Sequence, residues 1–275
     1  MKNYTQAPLP FQGQKRRFLK PFKEALKEFS STATYVDLFG GSGFLSHTIK
    51  QIYPDAIVIY NDYDNYAQRL GNIENTNKIL KDLNLILRDC EEDKKIDEPY
   101  KTQVIERLSQ EKGFIDFNTI SANILFSMKY FNSVKNLEKS TLYKCLKQSE
   151  YNADDYLQGV EVVSKDYRKL WEEYNNIDNV VYIIDPPYLS TDTTSYNKES
   201  YWELKDYLNV LKCVEDKSYF YFTSNKSQII ELCEWLESNS YFLNPFAGAT
   251  TISITGTPRG SIKYEDIMIY RNASN

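Results

Sequence analysis

The chain of 275 residues has one histidine and four cysteines, and that scarcity removes several chemistries at once. Cys90, Cys145, Cys213 and Cys233 form no close pair and show no metal-ligand spacing. With His47 as the single imidazole, no metal site is expected. The same cysteine usage fits a reducing, cytoplasmic setting rather than a disulfide framework. A Ser-His-Asp hydrolase would have to use His47, which falls inside an expected helix and reads as structural. Long apolar runs are missing too: none approaches the ~20 residues of a membrane span, and Met1-Lys2-Asn3-Tyr4-Thr5 does not open like a signal peptide. Finally, there is no excess of positive charge. The net charge of −5 runs against nucleic-acid binding, where phosphate contacts supply much of the affinity. Basic residues are nevertheless concentrated, seven Lys/Arg against two Asp/Glu in residues 1–30, chiefly in Lys15-Arg16-Arg17 and Lys20-Pro21-Phe22-Lys23. Such a run is either a solvated helix face or a basic rim beside an active site.

What the chain does have is concentrated in a few segments. Val180-Val181-Tyr182-Ile183-Ile184 reads as a buried strand, and it ends in Asp185-Pro186-Pro187-Tyr188. Two prolines remove two backbone donors and fix φ near −65°, so the chain leaves the sheet stiffly. An acid and an aromatic ring are thereby held at a strand's carboxyl end, where open α/β sheets bind ligands. A carboxylate, a free prolyl carbonyl and an aromatic face suit a flat heterocycle bearing an exocyclic amine. Turn chemistry alone would also account for Asp-Pro-Pro.

A second segment, Tyr35-Val36-Asp37-Leu38-Phe39-Gly40-Gly41-Ser42-Gly43, reads as a short strand entering a glycine-rich turn, with a helix from Phe44 to Ile49. Glycines let the backbone approach a ligand with no Cβ in the way, and the helix amino end adds favourable polarity. The spacing is Phe-x-Gly-x-Gly, and the Walker lysine is absent. Ala56 to Asn61 is the expected next strand, ending in Asp62. An acid there can accept from the ribose hydroxyls of an adenosyl ligand, or be an ordinary loop aspartate.

Taken in order, Phe11-Gln12-Gly13-Gln14-Lys15, Phe39 to Gly43 and Asp185 to Tyr188 resemble the Dam-like, alpha-group DNA adenine-N6 methyltransferases. The resemblance runs from about Pro10 to Arg271 and is weakest in the middle. It implies an α/β fold, a Rossmann-like class I methyltransferase sheet with helices on both faces and a mostly helical target-recognition insertion. It implies S-adenosyl-L-methionine as cofactor, no metal, and double-stranded DNA as partner. It also assigns roles. Asp185 and the Pro186 carbonyl would accept from the target amine, and Tyr188 would stack on a flipped-out base. Lys15, with Phe11 and Gly13, would serve the amino-acid end of the cofactor. Asp37 would fix the glycine turn of Phe39, Gly41 and Gly43 or accept from the cofactor's ammonium, and Asp62 would take its ribose. Ser164-Lys165-Asp166-Tyr167 falls where relatives contact the cofactor's adenine: Asp166 would accept from its amine and Tyr167 stack on it, although a helix cap by Ser164 or Asp166 is an equal reading. Asp-Pro-Pro-Tyr also occurs in RNA and protein-glutamine methylases, so an RNA adenine methylase and a non-catalytic subunit stand as alternatives.

Asp37 and Asp185 lie 148 positions apart, room for a sizeable insertion. The expected division is a catalytic domain of residues 1–89 and 159–275, with a recognition insertion at 90–158. Leu70, Ile73, Leu80, Leu83 and Leu87 predict one helix over about 65–89. Further helices are expected over about 101–112, along a face marked by Ile120, Ile124, Met128 and Phe131, and over Leu137 to Leu146. Gly159 to Val163, Ser218 to Thr223 and Asp266 to Tyr270 read as strands, the last paired through a hairpin with Thr250 to Thr255, its loop carrying Arg259 and Lys263. Tyr196, within the polar stretch Thr191 to Ser200, could close over the site. The Arg-x-Asn…Gly-x-Phe-Asn-x-Pro-type hairpin of GATC readers has no counterpart between Tyr66 and Asp178. Lys129, Asn132, Lys135 and Asn136 are the candidates for reading bases.

Overall fold

Period-two alternation sorts the strand side chains onto two faces of one sheet. In the computed structural model, which describes residues 2–126, 130–188, 202–241, 243–256 and 264–273, these strands are β1 (Thr34–Asp37), β2 (Ile57–Asn61), β3 (Glu161–Val163), β4 (Val180–Ile184), β5 (Ser218–Ser224), β6 (Thr250–Gly256) and β7 (Tyr264–Arg271). Their order is β3-β2-β1-β4-β5-β7-β6. The first five run parallel, while β7 is antiparallel to both β5 and β6. Tyr35, Val181, Ile183, Phe220 and Phe222 point to one face; Val36, Tyr182, Ile184, Tyr219 and Tyr221 point to the other. Both faces are covered, which explains why the parallel strands read as continuous apolar runs rather than an alternation of polar and apolar.

The helices are α1 (Leu19–Leu26), α2 (Phe44–Ile52), α3 (Tyr66–Gly71), α4 (Ile73–Ile86), α5 (Tyr100–Ser109), α6 (Phe117–Ile124), α7 (Val134–Glu138), α8 (Tyr167–Tyr174), α9 (Leu204–Leu211) and α10 (Ile229–Ser238). On the first face, Phe22 and Leu26 of α1 and Leu45 and Ile49 of α2 pack against the sheet. On the second, Leu170 of α8, Val210 of α9 and Cys233 of α10 do so. A third apolar cluster spans Tyr66 to Tyr156, takes in α3 to α7, and adds Ala7 and Leu9.

Three expectations for this helical region are corrected. The helix over 65–89 is two helices, α3 and α4, because the chain bends at Asn72 (φ −105°, ψ 13°) directly after Gly71. Glycine and asparagine are both poor interior helix formers, so the break falls there. Phe131 is not on the face of α6. That helix stops at Ile124, Leu125 is extended, and the Ser121 hydroxyl takes the Phe131 N–H at 3.1 Å, folding the chain back so that Phe131 meets Phe117 edge to face. Met128 lies outside the described residues. The helix over Leu137 to Leu146 is also absent: α7 ends at Glu138, the Ser140 hydroxyl bonds back to the Asn136 carbonyl, and the following residues form no helix. There Lys94 to Ile96 pairs with Leu142 to Lys144 through Ile96 N–H to Leu142 O (2.8 Å) and Lys144 N–H to Lys94 O (3.0 Å). A long-range bridge outcompetes a weak local helical signal.

Candidate active site

Neighbours β1 and β4 part ways at their carboxyl ends, β2 continuing to one side and β5 to the other. That is the topological switch point at which such sheets bind ligands. β1 delivers Asp37 to it and β4 delivers Asp185, tied together by Leu38 N–H to Ile183 O at 3.0 Å.

After β1 the chain makes a tight turn, closed by Gly43 N–H to Gly40 O at 2.7 Å. Gly41 (φ +50°) and Gly43 (φ +69°) hold conformations that side chains rarely adopt. A Cβ at Gly40 would lie 2.2 Å from the Tyr60 ring, and one at Gly41 would lie 3.0 Å from Phe11. Phe11 in turn meets Tyr66 edge to face. Asp37 sits beneath this turn, fully buried. The Ser46 hydroxyl of α2 donates to its Oδ2 at 2.7 Å, and its Oδ1 has no hydrogen-bond partner among the described residues. Burial pushes its carboxyl up to about 7; Ser46 pulls it back and the charge of Asp185 adds to the rise.

Asp185 is ion-paired with Lys15, and Lys15 Nζ also donates to the Gly13 carbonyl at 2.8 Å. The same ammonium lies 5.4 Å from the centre of the Tyr188 ring and 5.9 Å from that of Phe222. Burial raises the Asp185 carboxyl; Lys15 lowers it, and Asp266 raises it further. Pro186 is buried and Tyr188 half-buried. Arg17, from the basic run, lies 3.5 Å from Asp266 at the edge of this group.

The remaining candidates divide. Asp62 is nearly buried and already accepts the Tyr66 N–H (2.6 Å) and the Ala67 N–H (2.8 Å), with the Tyr60 hydroxyl oxygen 3.0 Å away. Those two N–H groups occupy two of the ~4 acceptor positions of a carboxylate. Asp166 caps α8 through the Arg168 N–H and is gripped by the Arg168 guanidinium at 2.9 and 2.7 Å. Tyr167 packs on Phe39, ring centres 4.9 Å apart, and both meet Trp202 at 5.7 Å. Asn136 of α7 donates to the Asn132 side chain at 2.7 Å. Tyr196, Thr191 to Ser200, Lys129, Arg259 and Lys263 lie outside the described residues.

Several contributors carried no signal in the sequence. Asn61 ties β1 to the β3–α8 loop, donating to the Leu38 and Lys165 carbonyls and accepting the Lys165 N–H at 2.9 Å. Trp202 closes the aromatic group, and Ser46 holds Asp37. Ser46 was the most legible of these, one turn into a helix that follows a glycine loop.

The mixed seven-stranded sheet, with helices on both faces and an acid-bearing glycine turn at its switch point, has the architecture of a class I methyltransferase. Residues 11–245 match the family model of the D12 class N6 adenine-specific DNA methyltransferases, and the chain belongs to that family. It is also 36% identical, over 98% of its own length and 93% of the relative's, to a Haemophilus influenzae protein named provisionally as a methyltransferase. Among the described residues no helix is long and apolar enough to cross a membrane.

Proposed function

We propose that this protein transfers a methyl group from S-adenosyl-L-methionine to the N6 amine of an adenine flipped out of double-stranded DNA. The observation that carries the reading is the placing of Asp185-Pro186-Pro187-Tyr188 and the Phe39–Gly43 turn side by side at the switch point. Two features fit the cofactor. The glycine turn packs so closely on Tyr60, Phe11 and Leu157 that no Cβ fits, which holds its backbone in one shape, and the orphaned Oδ1 of Asp37 offers a buried acceptor to a cationic ligand. Phe11, Gly13, Lys15, Asp37, Phe39, Gly41 and Gly43 would hold its amino-acid side; Asp62, Asp166 and Tyr167 would hold the adenosyl side. Bound there, it supplies a methyl on a sulfonium, a ready leaving group.

The protein's part is to present the amine. Asp185 and the Pro186 carbonyl each accept one N–H, which favours a pyramidal nitrogen with its lone pair turned toward the methyl. The same acceptors stabilise positive charge as it develops on nitrogen. Tyr188 stacks on the base, worth ~1–3 kcal/mol, against an unstacking cost of a few kcal/mol for flipping. Asp185 need not take the proton, which can leave to water after transfer. Residues 90–158, with basic Arg16 and Arg17 at the rim, are proposed to read and hold the DNA, and a cytoplasmic location goes with that substrate.

The test is transfer of tritiated methyl from S-adenosyl-L-methionine to mixed-sequence DNA and to RNA, with Asp185→Ala as control. Label in DNA as N6-methyladenine, lost in the variant, is the expected result. Label in RNA alone would move the substrate to RNA. Label in neither, with cofactor still bound, would defeat the catalytic reading.

A further inference from the structure

Two tyrosine hydroxyls reach the glycine turn from behind. Tyr60, on β2, donates to the Gly41 carbonyl at 2.7 Å; Tyr156 donates to the Ser42 carbonyl at 3.0 Å. Two consecutive peptide units are thereby fixed, because in a planar trans peptide the N–H points opposite to the C=O. Tyr60 belongs to the sheet. Tyr156 comes from residues 151–157, the last stretch of the helical region before β3.

That stretch is held firmly at both ends. At one, the Tyr151 backbone N–H and C=O exchange hydrogen bonds with the Asn77 side chain of α4, each 2.9 Å, and the Tyr151 hydroxyl accepts from Asn123 of α6 at 3.1 Å. At the other, the Tyr156 ring is buried and stacks on His47 of α2, ring centres 4.7 Å apart. His47 Nδ1 lies 2.6 Å from the Tyr156 carbonyl, which can only accept, so Nδ1 carries the proton. Burial lowers the His47 pKa and keeps the ring neutral. Leu157 completes the contact, its Cδ2 3.1 Å from where a Gly43 Cβ would stand.

We propose that residues 151–157 brace the cofactor loop and that Tyr156 is a positioning residue: its hydroxyl sets the Ser42 peptide from the helical region rather than from the sheet. The inference rests on Phe39–Gly43 being the cofactor loop. Loop geometry would then depend on a segment anchored among α4 and α6, and cofactor affinity is where a misplaced Ser42 peptide registers.

The experiment compares Tyr156→Phe with Tyr151→Phe by calorimetric titration of S-adenosyl-L-methionine into the full chain. Each variant removes one hydroxyl from the same stretch and keeps its ring. Tyr156→Phe should weaken binding about tenfold, the scale of one buried hydrogen bond, and raise KM for the cofactor with kcat nearly unchanged. Tyr151→Phe loosens only the far anchor, where the two Asn77 bonds remain, so it should lose comparable thermal stability and weaken binding less than Tyr156→Phe. Amide exchange at Ser42 to Phe44 gives a second readout, faster in Tyr156→Phe than in Tyr151→Phe. Wild-type affinity in Tyr156→Phe, or equal weakening in both, would overturn the brace. Failure of the unmodified protein to bind the cofactor would instead overturn the reading of the loop itself.

Discussion

Lys15 and Asp185, 170 positions apart, are ion-paired across the mouth of the candidate site. Their side chains are 10% and 20% exposed, enough burial for the pair to matter and enough opening for a ligand to reach it. The amino-terminal box and the Asp-Pro-Pro-Tyr corner are therefore one electrostatic unit. Removing one partner of a largely buried pair leaves the other uncompensated, at a cost of about 3 kcal/mol. Lys15→Met is thus expected to lower the urea midpoint and also the rate of methyl transfer at neutral pH, as Asp185 loses the partner that lowers its pKa. The double variant Lys15→Met/Asp185→Asn should recover stability without recovering activity. If the double variant is no more stable than Lys15→Met, the pair is not what holds these residues.

Asp37 makes stability depend on pH in an unusual direction. Its folded carboxyl is raised from 3.8 to about 7, so between those values the folded state binds a proton that the unfolded chain has released. Stability contributed by this group is full below pH 3.8, falls as pH rises, and is lost above about pH 7. Asp185 and Asp266, both raised, act with the same sign. Asp37→Asn keeps an acceptor for Ser46 and should flatten the decline between pH 4 and 7, by a few kcal/mol at most. Urea midpoints measured across that range decide it; parallel curves for variant and wild type would place the proton elsewhere.

Much of the sheet was legible because its signals are local. The Val180–Ile184 run, its Pro-Pro stop and the glycine turn after Asp37 each announce an element from adjacent residues. The hairpin of β6 and β7 was legible for the same reason. Where competition was tertiary, local pattern misled. Leu137, Leu142 and Leu146 look helical, yet residues 142–144 bury their apolar side by pairing with 94–96. The candidate site shows the same division. Phe11 and Lys15 stood out, but that Lys15 meets Asp185 follows only from the fold. Tyr60, Asn61 and Tyr156 act through hydrogen bonds to carbonyls up to 114 positions away, and nothing in their neighbourhoods marks them.

Two glycines should respond to alanine for different reasons. At Gly13 (φ +85°) nothing lies near the new Cβ, so the cost is backbone strain alone, about 1–2 kcal/mol. At Gly40 the Cβ would land 2.2 Å from the buried Tyr60 ring, and the ring must move. Overpacking of that kind costs about 1–3 kcal/mol, and it drags the Tyr60 hydroxyl off the Gly41 carbonyl as well. Gly40→Ala is therefore expected to weaken cofactor binding more than Gly13→Ala at equal loss of melting temperature. Equal affinities for the two variants would mean that Tyr60 does not shape the loop.

Arg69 and Asp116 form a deeply buried ion pair, with side chains 6% and 1% exposed. Arg69 Nε donates to Asp116 at 2.9 Å, and Nη2 reaches the Pro10 carbonyl at 2.8 Å and the Thr119 hydroxyl at 3.2 Å. Asp116 also caps α6 through the Thr119 N–H. One guanidinium thus joins α3, the start of α6 and the residue before Phe11. Arg69→Met strips the carboxylate of its counter-charge in a dry setting and should cost about 3–5 kcal/mol. Asp116→Asn keeps the cap acceptor, so Arg69→Met/Asp116→Asn should be more stable than Arg69→Met alone. Chemical denaturation of the three variants measures the coupling, and additive losses would show that the pair contributes nothing beyond its separate contacts.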